Sequence, residues 1–147
     1  MDIPSLLSST NVLCQQDSSS KKRLLENIAE HLSQVNQDLS ATDTFSALIA
    51  REKLGSTGIG NGIAIPHCRI SECKKITAML VTLKQGIDFD AIDNEKVDVI
   101  FVLIVPEDAN DDHLKTLASI AEVFSNDAIL QKVRQAQDID TLIKVFI

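Results

Sequence analysis

From Lys21 onward the apolar residues Leu24, Leu25, Ile28, Ala29, Leu32 and Val35 recur at steps of three and four, the period that places them on one stripe of an amphipathic helix. Ser18, Ser19 and Ser20 stand just before it and supply hydroxyl groups suited to cap its first turn. A second helix is predicted from Ser40 or Thr42, with Phe45, Leu48 and Ile49 inward; it stops at Leu54-Gly55, where glycine suits the left-handed C-terminal position. The period then changes. Ile63-Ala64-Ile65-Pro66 reads as a short strand running into a proline, with His67 just beyond it. Ile76 to Leu83 and Val97 to Val105 predict two more strands, the latter so continuously apolar that both of its faces should be covered. Three helices finish the chain. The first is capped by Asp111 or Asp112 and turns Leu114, Leu117, Ala118, Ala121 and Phe124 inward; Asp127 and Asp138 cap two shorter ones.

Helices placed before, between and after strands predict an α/β fold, a three-layer α/β/α sandwich. Its sheet is expected to be mixed, because residues 84–96 show no helical period and can carry a strand of their own. No repeat or Pro/Gly-rich linker divides the 147 residues, so a single domain spanning 1–147 is expected. Composition agrees: 44% hydrophobic with 24% charged residues is the balance of a folded globular chain. The longest apolar run, Val99 to Val105, falls well short of the roughly 20 residues that cross a bilayer. Met1-Asp2-Ile3-Pro4-Ser5 does not read as a secretory signal, and the expectation is a cytoplasmic protein without membrane insertion. Three cysteines, Cys14, Cys68 and Cys73, are expected to be free thiols. With 14 basic and 21 acidic residues the net charge is −7, which repels nucleic-acid phosphates and anionic lipid. Aromatic residues make up only 3%, leaving few stacking platforms for single strands.

The glycine-rich run Gly55-Ser56-Thr57-Gly58-Ile59-Gly60-Asn61-Gly62 invites a phosphate-loop reading. Gly62 is followed by Ile63 rather than Lys, and the order is helix, loop, strand, so neither nucleotide fingerprint is met. The glycines suit a tight crossover. Alternatively, backbone N–H groups of Gly58, Gly60, Asn61 and Gly62 can form a concave anion site beside His67. His67, after a proline and beside this loop, is the leading candidate for chemistry, since neutral imidazole can attack phosphorus. Zinc held by His67, Cys68 and Cys73 is disfavoured because neighbouring side chains of an extended chain point to opposite faces; no metal is expected. The same opposition weakens a Cys68-dependent hydrolase. His113 opens the line His113, Leu117, Ile120, Phe124, and either donates to a phosphate or packs there. Arg51, one turn before Gly55, either offers its guanidinium to phosphate oxygens or is a solvated helix-end arginine. His31 is read as structural.

The run Arg51-Glu52-Lys53-Leu54-Gly55-Ser56-Thr57-Gly58-Ile59-Gly60-Asn61-Gly62-Ile63-Ala64-Ile65-Pro66-His67 resembles the enzyme IIA family of the bacterial phosphoenolpyruvate-dependent phosphotransferase system, and its nitrogen-regulatory branch in particular. Phe89-Asp90-Ala91-Ile92-Asp93, the strand ending Val105-Pro106, and His113-Leu114 extend the likeness over nearly the whole chain. The resemblance implies an α/β/α sandwich, a phosphoryl group taken by His67 from a histidine-containing phosphocarrier protein, and supporting roles for Arg51 and His113. It implies no cofactor. Cys68 fits a variation seen after the active histidine in this branch. Relatives of the branch regulate potassium transport or sensor kinases, so regulatory protein targets are the implied partners. A sugar-specific enzyme IIA of the fructose or mannitol type, passing phosphate to an enzyme IIB, is the alternative. No sugar-transport domain accompanies residues 1–147, and regulation is therefore the expectation.

Overall fold

The computed structural model describes residues 2–109 and 111–147, the side chain of Asp111 excepted. In chain order the elements are α1 (Ile3–Leu6), β1 (Val12–Gln16), α2 (Lys21–Val35), α3 (Ala41–Lys53), β2 (Gly58–Gly60), β3 (Ile63–Ala64), β4 (His67–Ile70), β5 (Thr77–Ile87), β6 (Val97–Pro106), α4 (Asp111–Phe124), α5 (Asp127–Gln135) and α6 (Ile139–Lys144). The strands form one mixed sheet in the order β1-β5-β6-β3-β2, with β4 also paired to β6. β1 runs parallel to β5, β5 antiparallel to β6, and β3 and β4 both parallel to β6.

β6 is the organising strand, and its apolar run explains why. Ile100, Val102 and Ile104 enter the core beneath α2 and α3, while Val99, Phe101, Leu103 and Val105 enter the core shared with α1, α4, α5 and α6. Alternation along a strand sends successive side chains to opposite faces, so a strand apolar at every position needs a helical layer on each side. This is the α/β/α sandwich that the pattern predicts. On the second face Phe101, Phe124 and Phe146 stack in tilted and edge-on pairs, 6.0 and 5.8 Å between centroids, and fasten the C-terminal helices to the sheet.

Capping largely follows the sequence, with shifts of a residue or two. The Ser20 hydroxyl accepts from the Arg23 N–H, Ser40 from Asp43 and Asp138 from Thr141. α5 is capped by Asn126, whose side-chain oxygen accepts from Ala128 and Ile129, and Asp127 becomes its first helical residue. Asp111 and Asp112 already lie in the first turn of α4, and its cap position falls outside the described residues. Leu114 is 61% exposed and Ala118 is exposed too, contrary to the inward face predicted for them. The stripe that α4 does bury runs through Thr116, Ile120 and Phe124, with His113 and Leu117 half-buried along it.

β1, β2 and β4 escape the pattern, and β5 outruns it. β1 is too polar to announce itself, and Gln15 breaks it at φ 55°, where the Thr82 hydroxyl accepts the Gln15 N–H in place of a ladder partner. β2 hides in the glycine run, and β5 extends four residues past the predicted Leu83. Gly58 in β2 has no room for a side chain: a Cβ there would stand 2.8 Å from the Ala91 Cβ. Gly58→Ala is therefore expected to destabilise the fold by about 1–3 kcal/mol in chemical denaturation, the usual range for overpacking. An unchanged midpoint would show that the Ala91 segment yields freely.

Candidate functional site

The site begins at a break in the sheet edge. Ile63 and Ala64 pair with Val99 and Ile100 of β6, but Pro66 brings no N–H and the ladder lapses before resuming at His67 opposite Leu103. The Pro66 carbonyl accepts from the Leu103 N–H at 3.0 Å, and the Ile65 N–H donates to the Thr57 carbonyl at 3.0 Å. His67 thus opens β4 rather than trailing the preceding strand. The interruption leaves the Ile65 carbonyl for the imidazole, and His67 Nδ1 lies 2.8 Å from it. A carbonyl only accepts, so Nδ1 carries the ring proton and Nε2 presents its lone pair.

His67 lines a pocket of about 450 Å³ with Arg51 and Leu54 from the end of α3, Cys68 and Arg69 from β4, Leu103 and Val105 from β6, and His113 and Leu114 from the start of α4. Arg51, His67 and His113, distant in sequence, meet here. Arg51 Nη1 donates to the Gly55 carbonyl at 2.8 Å, which bends its guanidinium back over the end of α3. Helix α3 ends as predicted, although Gly55 sits at φ +152° rather than in the left-handed helical basin. Arg69 was not singled out from the sequence, yet its Nη1 donates to the Glu107 and Ala109 carbonyls at 3.1 and 3.0 Å and ties β4 to the segment that leads into α4. The two-residue period of a strand, which puts positions 67 and 69 on one face, is the signal that could have found it. The Ile65 carbonyl left no such signal, being common to every residue type. Leu54 and Leu114, 85% and 61% exposed, give the pocket two apolar lips.

The glycine run does not join this pocket as an anion cradle. Gly60, Asn61 and Gly62 form the turn between β2 and β3, and the Gly62 carbonyl accepts from Asp98 and Val99 at the far end of β6. From Val99 to Leu103, the partner of His67, is four residues, about 13 Å of strand. The turn is also occupied by acid. The Asn61 N–H donates to Asp93 Oδ2 at 3.0 Å, and Asp93 and Asp98 border the turn together with Glu95. The Gly58 N–H donates to the Ser56 hydroxyl at 3.0 Å. Positive φ at Gly60, Asn61 and Gly62, 101°, 59° and 79°, confirms the other reading, a tight crossover.

Cys68 packs against the core cluster beneath α2 and α3. Burial, with a smaller contribution from Cys73, pushes its thiol up to about 12. Thiolate is the reactive form, and Cys68 is held in its thiol form at pH 8. Iodoacetamide at that pH is expected to alkylate the folded protein at Cys68 far more slowly than the same chain in denaturant, as read by mass spectrometry. Equal rates would mean that the thiol is activated, as a Cys68 nucleophile requires. Among the described residues no group of three or more His, Cys, Asp or Glu gathers in a way that could hold a metal ion. No helix among them is long and apolar enough to cross a membrane.

A half-buried histidine at a break in the sheet thus shares one pocket with an arginine and a second histidine. Residues 5–147 match the family model described as phosphoenolpyruvate-dependent sugar phosphotransferase system, EIIA 2, and the chain belongs to that family, whose members are phosphotransferase components. Among curated relatives, a nitrogen regulatory protein of Pseudomonas aeruginosa is 43% identical over 128 residues, 87% of this chain and 83% of its own length. One from Escherichia coli K12 is 42% identical over 137 residues, 92% of this chain and 81% of its own. The crystal structure of nitrogen regulatory protein IIA-Ntr from Neisseria meningitidis superposes with a TM-score of 0.92 at 35% identity, covering 98% of both chains. Mannitol IIA from Escherichia coli shares the fold, with a TM-score of 0.82 at 16% identity over 96% of this chain and 99% of that one. The protein is thus a phosphotransferase-system IIA protein similar to the nitrogen-regulatory members.

Proposed function

We propose that His67 Nε2 accepts a phosphoryl group from a histidine-containing phosphocarrier protein, and that the phosphorylation state of His67 governs binding to regulatory protein targets in the cytoplasm. The observation that carries this reading is the bond from His67 Nδ1–H to the Ile65 carbonyl, which fixes the nucleophilic nitrogen before any donor arrives. The P–N bond at Nε2 forms as the donor's P–N bond breaks, and the bonding pair returns to the donor ring. One phosphoramidate replaces another, so the step is close to balanced and runs in either direction. Arg51 and His113 offer positive or hydrogen-bonding groups to the phosphoryl oxygens, and the pocket lies at the N-terminal end of the 14-residue α4, where the helix dipole favours negative charge. Arg51, His67 and His113 are thus the proposed site residues. The exposed lips Leu54 and Leu114 suit a partner that docks through apolar side chains.

Relatives named nitrogen regulatory protein at 34–43% identity favour a regulatory output, with potassium transporters or sensor kinases as target classes, over delivery to an enzyme IIB. The test is incubation with phosphoenolpyruvate, enzyme I and the phosphocarrier. One acid-labile phosphoryl group per chain, mapped to His67, is the expected product. Labelling at another residue, or none, would overturn the assignment.

A further inference from the structure

Next to Arg51 in sequence, and outside the lining of the pocket, lies a polar knot that phosphoryl transfer does not touch. Glu52 follows Arg51 in the last turn of α3, and its side chain is only 4% exposed. Each oxygen of its carboxylate faces donors. The Thr57 N–H lies 3.3 and 3.2 Å from Oε1 and Oε2, the Thr57 hydroxyl donates to Oε1, and Lys21 Nζ stands 2.8 Å from Oε2. Lys21, the first residue of α2, also donates to the Phe89 carbonyl at 3.2 Å and lies 4.6 Å from the centre of the Phe89 ring. The Ser56 hydroxyl donates to that same Phe89 carbonyl at 2.8 Å. Four stretches of chain, the start of α2, the end of α3, residues 55–57 and residues 88–90, are therefore fastened through one carboxylate and one ammonium group.

A buried pair of this kind is a weak source of net stability, because desolvating both charges offsets their attraction. Its effect here is to fix geometry. Residues 56 and 57 are held to Glu52 and Phe89, and Gly55, immediately before them, presents the carbonyl that receives Arg51 Nη1. Where Gly55 stands decides where the guanidinium lies along the pocket wall. Resting on the reading of His67 as phosphoryl acceptor, we propose that the Lys21–Glu52 pair is a positioning device that sets the Arg51 guanidinium, through the Gly55–Thr57 segment, for the charge on the transferring phosphoryl group. Glutamine keeps the shape of Glu52 but not its role: it removes the charge that holds Lys21, and its NH2 group, facing the Thr57 hydroxyl, obliges that hydroxyl to turn and accept. Neither Lys21 nor Glu52 touches the reacting atoms.

The test is a double-mutant cycle on single-turnover transfer from the phosphocarrier, using the parent, Glu52→Gln, Arg51→Ala and the double variant. Glu52→Gln is expected to slow transfer at saturating carrier about tenfold, without changing the carrier concentration at half-maximal rate, since displacing a contacting group by about an ångström costs this much or more. In the Arg51→Ala background the same change should alter the rate by less than about twofold, because the group it acts through is gone. Lys21→Met, which leaves both Thr57 contacts to Glu52 in place, is a second variant with the same expected masking. Equal losses in the two backgrounds would overturn the proposal. A readout independent of transfer accompanies the cycle: rotation of the Arg51 guanidinium about its Nε–Cζ bond, followed by NMR, should be hindered in the parent and faster in Glu52→Gln and Lys21→Met. If the parent takes up no phosphoryl group, the reading of His67 fails, and the rotation measurement still decides the positioning role. Unchanged rotation in both variants overturns it.

Discussion

His67→Ala is expected to take up no phosphoryl group at all, while unfolding within about 1 kcal/mol of the parent. The loss is complete because in the proposed reaction Nε2 is the atom that becomes bonded to phosphorus, His113 is assigned there to the phosphoryl oxygens, and the Cys68 thiol is pushed up to about 12. The fold is spared because His67 is half-exposed and its one described bond, to the Ile65 carbonyl, is the sort whose net effect on stability is about 1 kcal/mol. The same bond makes a finer claim about regiochemistry. Nitrogen-edited 31P spectra of the phosphorylated parent should place the phosphorus on Nε2, since Nδ1 holds its proton against a carbonyl. A phosphoryl group on Nδ1 would require that bond to break and would refute the tautomer argument.

Arg51→Ala and His113→Ala are each expected to slow transfer by about 10²- to 10³-fold, the usual consequence of losing one donor aimed at developing charge. Thermal unfolding should move little. Arg51 has one described hydrogen bond, to an exposed carbonyl at the end of its own helix, and His113 is only half-buried on α4. Normal rates in both would return Arg51 to a helix-end arginine and His113 to a packing residue.

How much of this was legible in the sequence varies with the physics of each element. β6 was readable because seven consecutive apolar residues admit one arrangement, burial on both faces. α2 and α3 were readable because their stripes and their serine caps agree. α4 is placed correctly by the pattern but turned inaccurately: Leu114 and Ala118 fit a helical period, yet they are exposed and Thr116 is buried. β1, β2 and β4 escape a sequence reading, since strands paired along one side answer to their ladder partners rather than to their own composition. At the site, His67, Arg51 and His113 stand out by residue type and position, and the structure brings the three to one pocket. The glycine turn was assigned to the wrong end of the strand because sequence proximity to His67 does not measure distance along β6. Arg69 becomes legible only once residues 67–70 are read as a strand, and the Lys21–Glu52 pair lies beyond reach because 31 positions separate its members.

One property of the His67 site concerns inheritance rather than chemistry. The group that sets its tautomer belongs to the main chain, so no substitution at position 65 can delete it; a mutation there changes packing and leaves the acceptor in place. Had the partner been a glutamate or an asparagine, a single base change could have reversed which ring nitrogen is nucleophilic. Here the protonation pattern can drift only if the path of the chain through Ile65-Pro66-His67 is redrawn. The chemistry of the histidine is thereby insulated from point mutation, and comparison of sequences position by position would never reveal the contact that insulates it.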